Sequence, residues 1–326
     1  MNIKSLSEIT HLIDEDLDLF NNQFKQSLKS NVGIVDLITR YILKQKGKKI
    51  RPTLVMLSSK ICGGTADRSR RGAILVELLH TATLVHDDVV DNSETRRGLP
   101  SINAIWKNKI GVLMGDYLLA KGLMLAVESE DYDFLKVITR TVKRMSEGEL
   151  LQINKTRKLD NDESTYLRII SDKTASLLST CCEIGARAAT NDEKKINAMK
   201  DFGENLGIAF QIRDDILDYI GTEKIFGKPL GGDIKEKKLT LPLIHALKNA
   251  QPNESKEILK SIKSGAKKAD ITTVIDFVKR NNGIDYADAS AKEYAKKAID
   301  CLGIFESSEY KTGLSALVNF VVERKK

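Results

Sequence analysis

Residues 78–101 read LLHTATLVHDDVVDNSETRRGLPS. Up to Val85 the run is apolar with helical spacing; it then carries three aspartates, Asp87, Asp88 and Asp91, followed closely by Arg96 and Arg97. Positions i and i+4 share a helix face, so Asp87 stands one turn from Asp91. Carboxylates gathered there repel one another unless a cation sits among them. An acidic helix end facing water is the plain alternative. A polar end on a core-facing apolar helix points instead to the mouth of a cavity.

The pattern occurs twice. VHDDVVD is echoed by QIRDDILD, in which Asp214, Asp215 and Asp218 match Asp87, Asp88 and Asp91. One copy would be weak evidence, whereas two copies, each closing an apolar helix, are specific.

Outward from these motifs the chain keeps one period. Ile74-Leu75-Leu78-Leu79, Leu113-Tyr117-Leu118-Ala120-Leu123-Met124 and Leu206-Phe210-Ile216-Leu217 repeat at helical spacing, and alternating strand patterns are nearly absent. Five prolines, Pro52, Pro100, Pro229, Pro242 and Pro252, and clusters such as RRGLPS and FGKPLGGD mark the connections. The expectation is an all-α bundle of about ten helices, some apolar on every face and therefore central. Its 326 residues show no shift of composition, and the polar break KNAQPNESKE is too short for a linker, so a single domain is expected.

The formal charge of +7 comes from 52 basic and 45 acidic residues interspersed, which describes a solvated surface rather than a polyanion-binding face. With 6% aromatic residues and no finger or RNP-like motif, nucleic acid is disfavoured and no nucleic-acid partner is expected. Cys62, Cys181, Cys182 and Cys301 fit neither a disulfide framework nor a zinc site, which suggests a reducing compartment. The first twenty residues are too acidic for a transit peptide and lack an apolar signal core. No apolar run reaches the roughly 18 residues a membrane span needs. A cytoplasmic location is expected.

Magnesium suits paired helical carboxylates, because it takes one or two per ion and completes its shell with water and phosphate oxygens. The chain supplies cations to match a polyphosphate. GKKIRP holds Lys48, Lys49 and Arg51; SDKTAS holds Lys173 beside Thr174; GKPLGGDIKEKKLTLP holds Lys228 and Lys238. Arginine's fork suits bidentate phosphate contacts and lysine acts as a point charge. Taken singly, each is an ordinary surface charge. Neither a nucleotide cradle nor a dinucleotide fingerprint accompanies them. His80, two turns before Asp87, is either a satisfied core residue or a ligand contact.

Together these residues resemble the trans-type prenyl diphosphate synthases, in particular their long-chain, octaprenyl-diphosphate-synthase-like branch. The likeness runs from GKKIRP through both aspartate motifs, MGDYLL and SDKTASL to GKPLGGDIKEKKLTLPLIHAL. It implies the isoprenoid synthase bundle, with central helices around a deep apolar cavity. It also implies magnesium-dependent head-to-tail condensation of isopentenyl diphosphate with an allylic diphosphate. By the resemblance, Asp87, Asp88, Asp91 and Asp214 bind magnesium, three ions with substrate present. Asp215 and Asp218 act through the geometry and waters of the second metal cluster. Arg96, Lys173, Gln211 and Lys228 hold the allylic diphosphate, with Lys238 a further contact. Lys48, Arg51, His80 and Arg97 hold isopentenyl diphosphate. Thr174 and Gln211 steady the developing cation, and departing pyrophosphate takes the proton.

Short-chain relatives often carry aromatic residues four or five places before the first aspartate. Here Thr83 and Ala82 are small, so a long product is expected, C30 or more, with Met114, Leu118, Met124 and Phe134 as candidates for a deeper floor. A shorter-chain synthase is the alternative. A class I terpene cyclase is disfavoured by the intact second motif, and a non-catalytic subunit by the presence of both. Family members are usually homodimers, and transient contact with a membrane surface would serve product release for a quinone side chain.

Overall fold

A computed structural model describes residues 5–45, 47–221, 230–265 and 268–324. In chain order its helices are α1 (Leu6–His11), α2 (Asp14–Ser27), α3 (Gly33–Lys44), α4 (Ile50–Cys62), α5 (Asp67–Val90), α6 (Ile102–Glu128), α7 (Tyr132–Lys158) and α8 (Glu163–Ile170). A π-turn (Ser171–Ala175) leads into α9 (Ser176–Ala189) and α10 (Glu193–Ile220). Next come α11 (Gly232–Lys235), α12 (Leu241–Asn249), α13 (Pro252–Lys263), α14 (Lys268–Arg280), α15 (Gly283–Cys301) and α16 (Glu309–Glu323). The all-α expectation holds. The polar break after α12 is a tight turn: Ser255 Oγ on α13 donates to Leu247 O at 2.9 Å.

The chain groups into two compact units, one of Met1–Arg140, Thr180–Lys200 and Phe305–Leu314, the other of Thr141–Ser179, Asp201–Ile304 and Ser315–Lys326. Four of the five boundaries fall inside α7, α9, α10 and α16 and the fifth between α15 and α16, so no linker or change of composition marks the division in the sequence.

In the first unit α5 packs most extensively against α6 and also against α4 and α2. Val76, Leu78, Leu79, Ala82 and Val85 are all buried, which is why no single apolar stripe shows along α5. Backbones approach closely where glycine permits it. A Cβ on Gly185 of α9 would lie 2.3 Å from Val55 O on α4. Helix α5 stops in a Schellman arrangement, with Ser93 N donating to Asp88 O (2.9 Å) and Asn92 N to Val89 O (3.3 Å) around left-handed Asn92 (φ 49°). The TRRGLP segment beyond it has the composition of a loop but folds as a small hairpin. Strands β1 (Thr95–Arg96) and β2 (Leu99–Pro100) pair across Arg97 and Gly98, whose φ values of 51° and 77° fit a type I′ turn.

Among the described helices, the membrane-span reading bears on α6 alone. Asp116 and Lys121 interrupt its apolar run, yet by length and composition the helix could cross a membrane, and 33% of its apolar window is buried within the chain. Val112, Leu113, Met124 and Val127 on it are exposed.

The second unit has its own core, with Ile208, Ile212, Ile216 and Tyr219 of α10 set among Tyr166, Ile234, Leu241, Val274 and Phe277. This stripe at i, i+4, i+8 and i+11 turns one face of α10 inward and leaves Gln211, Asp214 and Asp218 beside it.

Candidate active site

In the first unit a cavity of about 710 Å³ is lined by Lys48, Arg51, Glu77, His80, Asp88, Arg96 and Arg97, with Phe20, Phe24, Ile42 and Leu84 on its apolar wall. All four residues expected to hold isopentenyl diphosphate therefore share one cavity, although they come from α4, the segment before it, α5 and the hairpin. Left-handed Lys49 (φ 51°) precedes α4 and donates from Nζ to Asn21 Oδ1 at 2.7 Å. The guanidinium of Arg97 lies over Gly47, where a Cβ would come within 2.8 Å of it.

Burial pulls the pKa of Arg51 down, with Glu77 opposing. Burial pushes Glu77 up against the pull of Arg51, Arg97 and Lys49. Nε of Arg51 is buried with no hydrogen-bond partner among the described residues. A buried donor of this kind calls for an anion. His80 is 6% exposed, and its pKa is held well below the ordinary value by burial first and then by Arg51, Arg97 and Arg96. It therefore enters the site as a neutral imidazole. Its cavity neighbour is Asp88 rather than Asp87, the residue with which helical spacing aligns it.

The three aspartates of the first motif are not equivalent. Asp88 is buried, and its Oδ1 accepts from Nε (2.8 Å) and NH2 (2.5 Å) of Arg96. Asp87 is half-buried and Asp91, the C-cap of α5, is exposed. Arg96, expected on the allylic diphosphate, here holds an aspartate of the metal motif.

In the second unit a cavity of about 120 Å³ is lined by Lys173, Thr174, Gln211, Asp215, Asp233 and Lys238 together with Tyr166 and Gln152. A hydrogen-bond chain runs through it. Thr174 Oγ1 donates to Gln211 Oε1 (3.0 Å), and Gln211 Nε2 donates to Asp215 Oδ1 (2.8 Å). Asp215 Oδ2 accepts from Tyr166 OH at 2.6 Å. Burial, then Asp233, pushes Asp215 well above the carboxylate range, against the Tyr166 and Gln211 bonds. Asp218 accepts from the amides of Gly232 (3.0 Å) and Asp233 (3.0 Å), anchoring the start of α11. Burial and Asp218 raise Asp233 to about 7. Asp214 has a 44% exposed side chain and accepts from Arg324 NH2 at 2.5 Å. Lys173 Nζ pairs with Glu149 at 2.5 Å, and Lys238 Nζ with Glu236 at 2.5 Å. Lys228 lies outside the described residues.

Among the described residues, no three His, Cys, Asp or Glu side chains gather as a ready-made metal cage. The donors present, hard carboxylates on helices with much of their capacity already used, fit an ion that draws its other ligands from water and diphosphate oxygens. Glu77, Tyr166, Asp233 and Arg324 were not foreseen from the sequence. Glu77 alone carried a signal, its i, i+3 spacing to His80 on α5; the others meet the site through folding.

Comparison with known proteins identifies the family. The polyprenyl synthetase family matches residues 33–278. The chain is similar to octaprenyl diphosphate synthase of Haemophilus influenzae, with 35% identity over 99% of this chain and 98% of that protein. It is also similar to geranylgeranyl diphosphate synthase of Sulfolobus acidocaldarius, with 34% identity over 98% of this chain and 100% of that protein. A polyprenyl synthase from Caulobacter crescentus, solved with calcium and isoprenyl diphosphate, superposes with a TM-score of 0.92 at 33% identity over 100% of both chains. The chain belongs to the polyprenyl synthetase family and has its all-α isoprenoid synthase fold. It is a prenyltransferase that condenses isopentenyl diphosphate with an allylic diphosphate.

Proposed function

We propose that the enzyme works with magnesium to build a long all-trans polyprenyl diphosphate, C30 or more and about C40, for a quinone side chain. The observation that carries the length is the small side chains of Ala82 and Thr83 below Asp87. One turn beneath Ala82, Leu78 lines a groove of about 570 Å³ with Tyr117, Met124 and Leu125, whose other side carries Gln26, Ser27, Lys121 and Glu128. Of the floor candidates only Met124 lines it; Met114, Leu118 and Phe134 are core residues.

In this reading Asp87, Asp88, Asp91 and Asp214 hold the metal ions on the allylic diphosphate, and Asp215 and Asp218 support them. Bound magnesium supplies positive charge to the pyrophosphate as its bond to carbon breaks. Arg96, Lys173, Gln211 and Lys228 orient that diphosphate, with Lys238 beside them. Lys48, Arg51, neutral His80 and Arg97 hold isopentenyl diphosphate. Arg51's unpartnered Nε supports this assignment. The Thr174 hydroxyl and the Gln211 carboxamide oxygen stabilise the allylic cation, and apolar walls keep water from it.

We further infer that the enzyme is a cytoplasmic, single-domain homodimer that releases product at membrane surfaces, with the exposed apolar residues of α6 covered by a second copy. A charged Leu113→Asp variant should then elute as a monomer.

The test of the main reading is incubation of the purified chain with labelled isopentenyl diphosphate and farnesyl diphosphate. Dephosphorylated products are sized on reversed-phase plates. Magnesium should be required and chelation should stop turnover. Products no longer than C20 would support the shorter-chain reading, to which the Sulfolobus likeness lends weight. Absence of turnover would support a subunit that needs a partner.

A further inference from the structure

Lys173 and Thr174 do not sit on a regular helix. They lie in the π-turn Ser171–Ala175, which interrupts the run from α8 to α9. Such turns widen the helix by one residue and are frequent at functional sites. If the turn relaxed to regular α-helix, side chains on one side of it would rotate by up to about 100° relative to the other. Something must hold it in place.

Two neighbouring helices clamp this turn. From α7, Arg144 spreads its guanidinium over three acceptors: Nε to Asp172 Oδ1 (2.8 Å), NH2 to Ser171 Oγ (2.9 Å), and NH1 and NH2 to Glu204 (3.1 and 2.8 Å). Ser171 Oγ donates to Glu204 Oε1 at 2.6 Å, so the start of the turn is tied to α10 as well. Each clamping residue is followed about one turn later by a glycine in close contact. A Cβ on Gly148 would lie 2.9 Å from Asp172 Cβ and 3.1 Å from Lys173 N. A Cβ on Gly207 would lie 2.4 Å from Ala175 Cα. None of these four residues lines the neighbouring cavity, and the assigned chemistry leaves all four unused.

We propose that Arg144 and Glu204 are positioning residues, which together hold the π-turn in the register that presents Lys173 and Thr174 to the allylic diphosphate. The inference rests on the assignment of Lys173 and Thr174 to that diphosphate. Arg144's planar fork is essential here, because a lysine keeps the charge but cannot reach Asp172, Ser171 and Glu204 together.

The experiment compares the full-length enzyme with Arg144→Lys, Ser171→Ala and Lys173→Ala. KM for each substrate is measured at saturation of the other, Kd for an unreactive allylic thiolodiphosphate is measured with magnesium, and thermal melting is followed. Arg144→Lys and Ser171→Ala are expected to raise the allylic KM and the analogue Kd by roughly five- to tenfold, the net worth of about one ordinary hydrogen bond. The isopentenyl KM should stay within about twofold, because the residues that hold that substrate lie outside the clamp. A purely structural staple would lower melting and move both KM values alike, or neither, and that result overturns the proposal. If Arg144→Lys does not fold, Ser171→Ala, which removes a single hydroxyl, decides the matter. If Lys173→Ala weakens allylic binding while the clamp variants do not, the positioning role fails alone. If Lys173→Ala also leaves it unchanged, the site assignment fails and this inference with it.

Discussion

Replacing Ala82 by phenylalanine should shorten the product. Ala82 is 2% exposed, one position before Thr83 on α5. Five residues at 1.5 Å each put it about 7.5 Å below Asp87 along the helix axis. A ring at that depth blocks the growing tail early, so a product of about three or four isoprene units, C15 to C20, should replace C30 or longer. Because the site is packed, the added atoms should cost about 1–3 kcal/mol of stability, a melting decrease of several degrees that leaves an active enzyme. The neighbouring residue provides the control. Thr81 lines the 710 Å³ cavity with Glu77 and His80, so Thr81→Phe should raise the KM for isopentenyl diphosphate without shortening the chain. Labelled products are dephosphorylated and resolved on reversed-phase plates alongside melting curves. An Ala82→Phe enzyme that still makes full-length product would refute the tunnel assignment, and so would a Thr81→Phe enzyme that shortens it.

Two further outcomes concern the first unit. Arg96→Met removes both donors to buried Asp88 and should cost about 2–3 kcal/mol, at the low end for a buried pair because Arg96 is 29% exposed; the double variant with Asp88→Asn should recover part of this in urea melts. His80 titrates below its unfolded value, so its neutral form contributes full stability above about pH 6.5, and stability is lost as pH falls, by up to about 1.4 kcal/mol per unit. His80→Gln should flatten this acid limb in melts from pH 7 to pH 5 while raising the KM for isopentenyl diphosphate; an unchanged limb would show that His80 is solvated.

Much was legible in the linear chain because the relevant information is periodic and local. Apolar residues at i, i+3, i+4 and i+7 specify helices whatever packs against them. Two D-D-x-x-D patterns at the ends of such helices, with basic residues nearby, specify charge that needs metal and diphosphate. Asn92, the Schellman stop of α5, and Gly98 in its hairpin are likewise local devices, visible as residue types once their φ values are known.

Spacing along one helix could not rank the carboxylates. Asp88, Asp215 and Asp218 are engaged by Arg96, by Tyr166 and Gln211, and by the amides of Gly232 and Asp233. Asp214 is met by Arg324, which lies more than a hundred residues further along the chain. Arg144 and Glu204 reach the π-turn from helices distant in sequence. The sequence alone determined which chemical groups are present and which helix face carries them, because both depend on residue type and a fixed rotation per residue. Tertiary packing alone decided which groups are already satisfied and which remain for a ligand, because a hydrogen-bond partner is set by proximity in space.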